Sequence, residues 1–251
     1  MNILVSDLDN TLIYSYKKEI GTEKIVVEYY QGKELSFMTR TSHQLLNEVK
    51  EQVLVVPVST RSVAQYERIT FNEAWTPSVA LVSNGGTLLR DGKEDQAWKE
   101  ETMRLIAPSV NELEKAEGLL RNDENRTLEV RLVDDVFLFT KSSNPEKTVD
   151  MLEHNLDLRL VDCYSNHSKV YVLPKALTKG EAVKRLKNCY NVGQVIAAGD
   201  SIFDVSMMKQ ADRSFCPKEL EEEFSDYKGT LRLILENEIL SDIMLNEVVK
   251  L

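Results

Sequence analysis

The chain is short of cysteine, of positive charge and of long apolar runs, and each shortage excludes a class of protein. Only three cysteines occur in 251 residues, Cys163, Cys189 and Cys216. They form no close pair and no metal-ligand spacing, so they read as free thiols in a reducing compartment. Lysine and arginine number 31 against 41 aspartates and glutamates, a formal charge of −10. Such a chain repels polyanions, and nucleic acid is not an expected partner. No stretch is long enough to cross a bilayer, and the N-terminus lacks the basic-then-apolar order of a secretory signal. The expectation is a cytoplasmic protein with no membrane partner.

What is present is a core and a pattern. Apolar residues make up 42% of the chain, enough for one large domain, or one carrying a smaller insert. Residues 3–6 form a short apolar run ending at acids, as a buried parallel strand does with chemistry at its carboxyl end. A helix over 41–52, a strand over 53–58, a helix over 62–71 and a strand over 79–82 continue a doubly wound alternation. Pro57 removes a ladder donor and is expected at the last bonded position of its strand. The alternation breaks after Gly85-Gly86. Residues 100–120 are mostly helical, residues 127–133 alternate with Leu128, Val130 and Leu132 on the buried face, and strands over 136–140, 158–163 and 169–173 flank a helix over 146–155. The pattern resumes with a helix over 179–189, a strand over 194–198, a helix over 205–211, a short strand over 213–216 and an amphipathic helical stretch over 231–249. Residues 13–40 are an insertion, with a hairpin around Gln31-Gly32-Lys33. The expected fold is α/β: a doubly wound, Rossmann-like parallel-sheet core (1–85 and 175–251) with an inserted α+β cap domain (86–174).

Four places fall where strands end or the next helix starts: Asp7/Asp9, Ser59, Lys179 and Asp200/Asp204. Such ends converge on the crevice where open sheets bind ligands. Taken singly, each has a bland reading: a solvated turn, a helix N-cap, a surface lysine, an early-helix acid. Together they suit phosphoryl transfer. One carboxylate of the Asp7–Asp9 pair attacks phosphorus and the other moves the proton. Acids alone repel a phosphate, so a divalent cation is required, and carboxylates at Asp7 and Asp200 suit Mg²⁺. Ser59 and Lys179 would steady the transferred group.

These residues resemble the haloacid dehalogenase superfamily of phosphohydrolases. Asp7-Leu8-Asp9-Asn10-Thr11-Leu12 matches its first motif, 55–59 ending in Ser59 the second, Thr178-Lys179-Gly180 the third, and Gly199-Asp200-Ser201-Ile202-Phe203-Asp204 the fourth. The resemblance implies Asp7 as nucleophile and Asp9 as acid/base, with metal on Asp7, the Asp9 carbonyl and Asp200, and Asp204 as a further ligand or its support. Insertion of the cap between motifs two and three, after Ser83-Asn84-Gly85-Gly86, is similar to the α/β-capped branch holding sucrose-phosphate and mannosylglycerate-phosphate phosphatases. Departures stand beside the match. Phe203 replaces an asparagine common in capped members, and Ser59-Thr60-Arg61 replaces Thr-Gly-Arg. The turn Asn166-His167-Ser168 replaces a glycine-rich one.

The resemblance implies hydrolysis of a small phosphorylated metabolite, a sugar phosphate or phosphorylated sugar acid; a monomer or homodimer is expected. Phosphomutase or phosphotransferase activity, or a weakly catalytic phosphate-binding regulator, are the alternatives. Asn84 either touches the bound phosphate or supplies a left-handed turn before Gly85. Glu129, Arg131, Lys141, His167 and Lys169 are the polar groups on cap strands that could read a sugar, or they are a solvated face.

Overall fold

Ile3–Ser6 is buried at every residue, so it needs strand partners on both sides, and it has them. It pairs in parallel with Leu54–Pro57 and with Val195–Ala198. Arg213–Pro217 and Thr230–Ile234 extend the same parallel sheet. The computed structural model describes residues 1–72 and 75–251. Counted in chain order within this sheet, the strands lie 2-1-3-4-5. The order reverses between Ile3–Ser6 and Val195–Ala198, which is where an open sheet of this kind forms its ligand crevice. Pro57 is the last residue of the edge strand, where its missing N–H costs nothing.

Helices Arg40–Val49 and Leu240–Val248 pack on one another and join the sheet in one core through Leu46, Val49, Met244, Leu245, Leu4 and Ile196. Helices Lys179–Cys189 and Ile202–Met208 form a second packed pair. The insertion after the first strand is a small antiparallel sheet of Tyr14–Ser15, Lys33–Thr39 and Lys24–Tyr30. Gln31 and Gly32 both have positive φ, 52° and 75°, the backbone that a two-residue hairpin turn requires.

Three expected elements of the sheet-bearing core differ. Val79–Val82 joins the parallel sheet only by a bridge between Leu81 and Val58, and otherwise pairs antiparallel with Thr87–Arg90. The helix expected over 62–71 is one turn, Val63–Tyr66, because Thr70 N–H donates to Val27 O and Ile69 bridges Glu28. Residues 231–249 divide into the fifth strand of the sheet and the helix Leu240–Val248.

The chain forms two units, residues 1–94 with 178–251, and residues 95–177. The hairpin at 87–94, read from sequence as part of the insert, thus lies in the first unit. In the second unit, Val161–Asn166, Lys169–Pro174, Phe137–Lys141 and Arg131–Val133 form an antiparallel sheet in that order. Helices Val110–Arg121 and Pro145–Asn155 cover one of its faces through Leu113, Leu120 and Leu152 against Leu138, Val170 and Val172. The long helix expected over 100–120 is split at Ala107–Ser109, where Pro108 removes a donor. The alternation over 127–133 makes a strand only at Arg131–Val133, and Leu132 is exposed.

Candidate active site

The first strand ends at Ser6, and Asp7 N–H still donates to Ala198 O, 2.9 Å, so Asp7 leaves the sheet at the reversal point. Thr178 caps the helix that begins at Lys179 by accepting from Glu181 N, and this directs Lys179 inward. The result is a buried ammonium, 2% exposed. Its Nζ lies 2.5 Å from Asp7 Oδ1 and 2.5 Å from Asp204 Oδ1. Asp204 is held in turn by Ser201, whose N–H and hydroxyl donate to Oδ2 at 3.0 and 2.8 Å. Gly199 allows this closeness, since a Cβ there would lie 2.1 Å from the Asp204 Cβ.

Carboxylate oxygens of Asp7, Asp200 and Asp204 come within 4.8 Å of one another. Three acids face one lysine, so the cluster has more negative than positive charge. Burial pushes the Asp7 carboxyl well above its ordinary range; Lys179 opposes this, and Asp204, Asp200 and Asp9 add to it. Burial and Asp204 push Asp200 up to about 7, against Lys179 and a hydrogen bond from Asn10. Burial alone would favour neutral Lys179, but Asp204 and Asp7 hold its pKa above the ordinary value. Hard oxygen donors with surplus negative charge suit a divalent cation, so the residues fit a bound metal.

Asp9 belongs to a different cluster. Both its oxygens take a bidentate contact from Arg61, Nε to Oδ2 and Nη2 to Oδ1, each 2.8 Å. Behind Arg61 lies Glu28, fully buried, 3.0 Å from Nη1. Burial would favour the neutral guanidinium, but Asp9 and Glu28 hold its pKa above the ordinary value. Sequence reasoning named Arg61 and Asn10 only as parts of motifs and missed Glu28. A lone glutamate in the strand Lys24–Tyr30 gives no signal of burial.

Ser59 and Asn84 are buried at the same carboxyl edge and are joined through the backbone, Asn84 N–H donating to Ser59 O at 2.8 Å. The Ser59 hydroxyl oxygen accepts from Arg61 N–H at 3.2 Å. Asn84 has φ 58°, the left-handed backbone that was one of its two readings. Glu129, Arg131, Lys141, His167 and Lys169 are in the second unit, all exposed. No helix among the described residues is long and apolar enough to cross a membrane.

No curated protein sequence matches the chain. Solved structures do. A sucrose-phosphatase from Synechocystis, in complex with sucrose and phosphate, superposes with TM-score 0.66 at 16% identity, covering 99% of this chain and 97% of that one. A trehalose-6-phosphate phosphatase related protein gives 0.59 at 13%, with 99% and 97% covered. A haloalkanoate-superfamily phosphatase from Bacteroides thetaiotaomicron gives 0.55 at 15%, with 99% and 96% covered. At these identities the likeness is one of fold, a Rossmann-like core with a cap domain. A family model described as sucrose-6F-phosphate phosphohydrolase matches residues 1–234. The chain therefore belongs to that family, within the haloacid dehalogenase superfamily, and is a phosphatase.

Proposed function

We propose that the chain is a magnesium-dependent phosphatase that hydrolyses a small sugar phosphate through an aspartyl-phosphate on Asp7. The observation that carries this reading is the buried cluster of Asp7, Lys179, Asp204 and Asp200 at the reversal point of the sheet. The sugar-phosphate class rests on the family and on the sucrose-phosphatase of like fold.

Asp7 is the nucleophile. Its oxygen forms the bond to phosphorus while the bond to the sugar oxygen breaks, and Asp9 donates the proton that the leaving alkoxide needs. In the second half Asp9 takes a proton from water, which attacks the aspartyl-phosphate and frees Asp7 and inorganic phosphate. Lys179 supplies positive charge beside the phosphoryl oxygens throughout. Asp204 fixes Lys179 by ion pairing, so the ammonium is oriented before substrate arrives. Ser59 and Asn84, at the carboxyl edge, are assigned to the phosphate oxygens. Asp7, Asp200 and the Asp9 carbonyl would hold Mg²⁺, with Asp204 as a further ligand or support. When bound, the ion neutralises the cluster and lets an anionic substrate approach.

Phosphate release from a panel of sugar phosphates, sucrose 6-phosphate included, is expected to require Mg²⁺ and to stop on chelation. Asp7→Asn is expected to fold normally and to lose turnover. Normal phosphate release by that variant would remove Asp7 from the nucleophile's place. Isomerisation of the sugar phosphate without net release would replace hydrolysis by a mutase reaction.

A further inference from the structure

Two cations divide the acids of this site. Lys179 takes Asp7 and Asp204, and Arg61 takes Asp9. The second pairing is built in an unusual way. A half-exposed carboxylate with an arginine beside it ordinarily contributes little, because water competes and both side chains lose freedom. Asp9 is 49% exposed, but Arg61 is only 12% exposed and has its other side occupied. Nη1 meets Glu28 Oε2 at 3.0 Å, and Glu28 is fully enclosed. Its other oxygen, Oε1, accepts from Arg68 Nε at 3.0 Å, and Ser36 donates its hydroxyl to Oε2 at 2.6 Å. Ser36 stands opposite Glu28 in the hairpin of the insertion, at a bulge in the ladder. Five residues from three stretches of the chain, Asp9, Glu28 with Ser36, and Arg61 with Arg68, thus join in one network.

Burying a carboxylate among arginines is poor economy for stability, since apolar groups of similar volume serve a core as well or better. What the arrangement does supply is direction. A guanidinium is planar, and with Glu28 fixed on one edge its other edge can meet a carboxylate in only one orientation. The Asp9 carboxylate is thereby given one orientation against the Arg61 fork.

We propose that Arg61, braced by Glu28 from the insertion, is the positioning residue of Asp9, fixing the proton-transferring carboxylate relative to the leaving group. This rests on the mechanism proposed above, in which Asp9 moves the proton. Lysine cannot reproduce the fork, so Arg61→Lys keeps the charge and loses the orientation. Glu28→Gln keeps the volume and loosens the brace.

The test is the dependence of kcat/KM, which reports the first phosphoryl transfer and not the shared hydrolysis of the aspartyl-phosphate, on the leaving group, measured with Mg²⁺ on 4-nitrophenyl phosphate, whose leaving group needs little protonation, and on phenyl phosphate, whose leaving group needs more. General acid help is worth about 10²–10⁴-fold, so Arg61→Ala is expected to lose about tenfold more on phenyl than on 4-nitrophenyl phosphate. KM is expected to change little, and millimolar guanidinium is expected to restore part of the lost rate. Arg61→Lys and Glu28→Gln should show the same selectivity, more weakly. If Arg61→Ala does not fold, Arg61→Lys carries the comparison. Equal losses on both substrates, unchanged rates, or a gain on phenyl phosphate overturn the positioning role. Asp7→Asn is assayed in parallel. Activity in that variant overturns the mechanism itself, whereas an inactive Asp7→Asn with equal losses at Arg61 overturns only the positioning role.

Discussion

Lys179 decides the electrostatics of the cluster residue by residue. It pairs directly with Asp7 and Asp204, and at Asp200 burial and Asp204 outweigh it, so that carboxyl rises to about 7. An acid whose folded pKa is raised stabilises the fold fully below its unfolded pKa, near 3.8, and that contribution is lost as pH rises through the folded value. Asp7 shifts in the same direction. The metal-free protein is therefore expected to become less stable from about pH 4 to about pH 7 as these protons leave. A divalent cation competes for the same oxygens, so its binding releases protons and weakens in acid. Thermal unfolding with and without Mg²⁺ should show a larger metal-induced gain in Tm at pH 8 than at pH 6. A gain that does not vary with pH would mean that these carboxylates do not exchange protons for metal.

At the scale of elements, the position of Lys179 depends on how closely two helices approach. Gly180 N–H donates to Ser206 Oγ at 3.1 Å, and a Cβ on Gly180 would lie 2.4 Å from Ser206 O. Gly180→Ala forces Lys179–Cys189 away from Ile202–Met208, so both Lys179 and Asp204 move. Overpacking of this kind costs about 1–3 kcal/mol, and displacement of a charged group by about 1 Å can cost about 10²-fold in rate. Gly118→Ala is the control. Gly118 is exposed in Val110–Arg121 with open space around it, and alanine there should stabilise by about 0.5–1 kcal/mol. If Gly180→Ala matched the control in denaturation midpoint and kcat, the close approach would have no consequence. The same elements show what was legible. Lys179–Cys189 has the ends expected from sequence, and in the structure Thr178 caps its start and Ala182, Val183 and Leu186 form its buried face. The motif acids could likewise be assigned to strand ends. By contrast, Leu231, Leu233 and Ile234 fit a helical stripe as well as a strand, and only pairing with Arg213–Pro217 decides between them. Val79–Val82 is as apolar as a parallel strand, and its antiparallel partner is set by the turn at Ser83 and Asn84, both with positive φ. The Glu28–Arg61 pair was illegible because it arises from tertiary contact between residues 33 positions apart, which no local pattern encodes.

At the scale of the whole molecule, each of the two units carries an apolar core of its own among the described residues. Leu4, Ile196, Phe215 and Met244 belong to one, and Leu120, Leu138, Leu152 and Val172 to the other. Each unit closes its own backbone ladders, so each can open locally with its own free energy. A ligand stabilises only the states that keep its site intact, by an amount that grows with the logarithm of its concentration over Kd. The acids that fit a metal, Asp7, Asp200 and Asp204, all belong to the first unit. Added Mg²⁺ is therefore expected to slow amide exchange in Ile3–Ser6 and Val195–Ala198, whose ends carry those acids. It is expected to leave Phe137–Lys141 and Lys169–Pro174 nearly unchanged. Asp200→Asn should abolish the protection in the first unit without altering exchange in the second. Equal protection of both sets of strands by Mg²⁺ would show that the units open as one, and that metal binding is a property of the entire chain rather than of the sheet that carries Asp7.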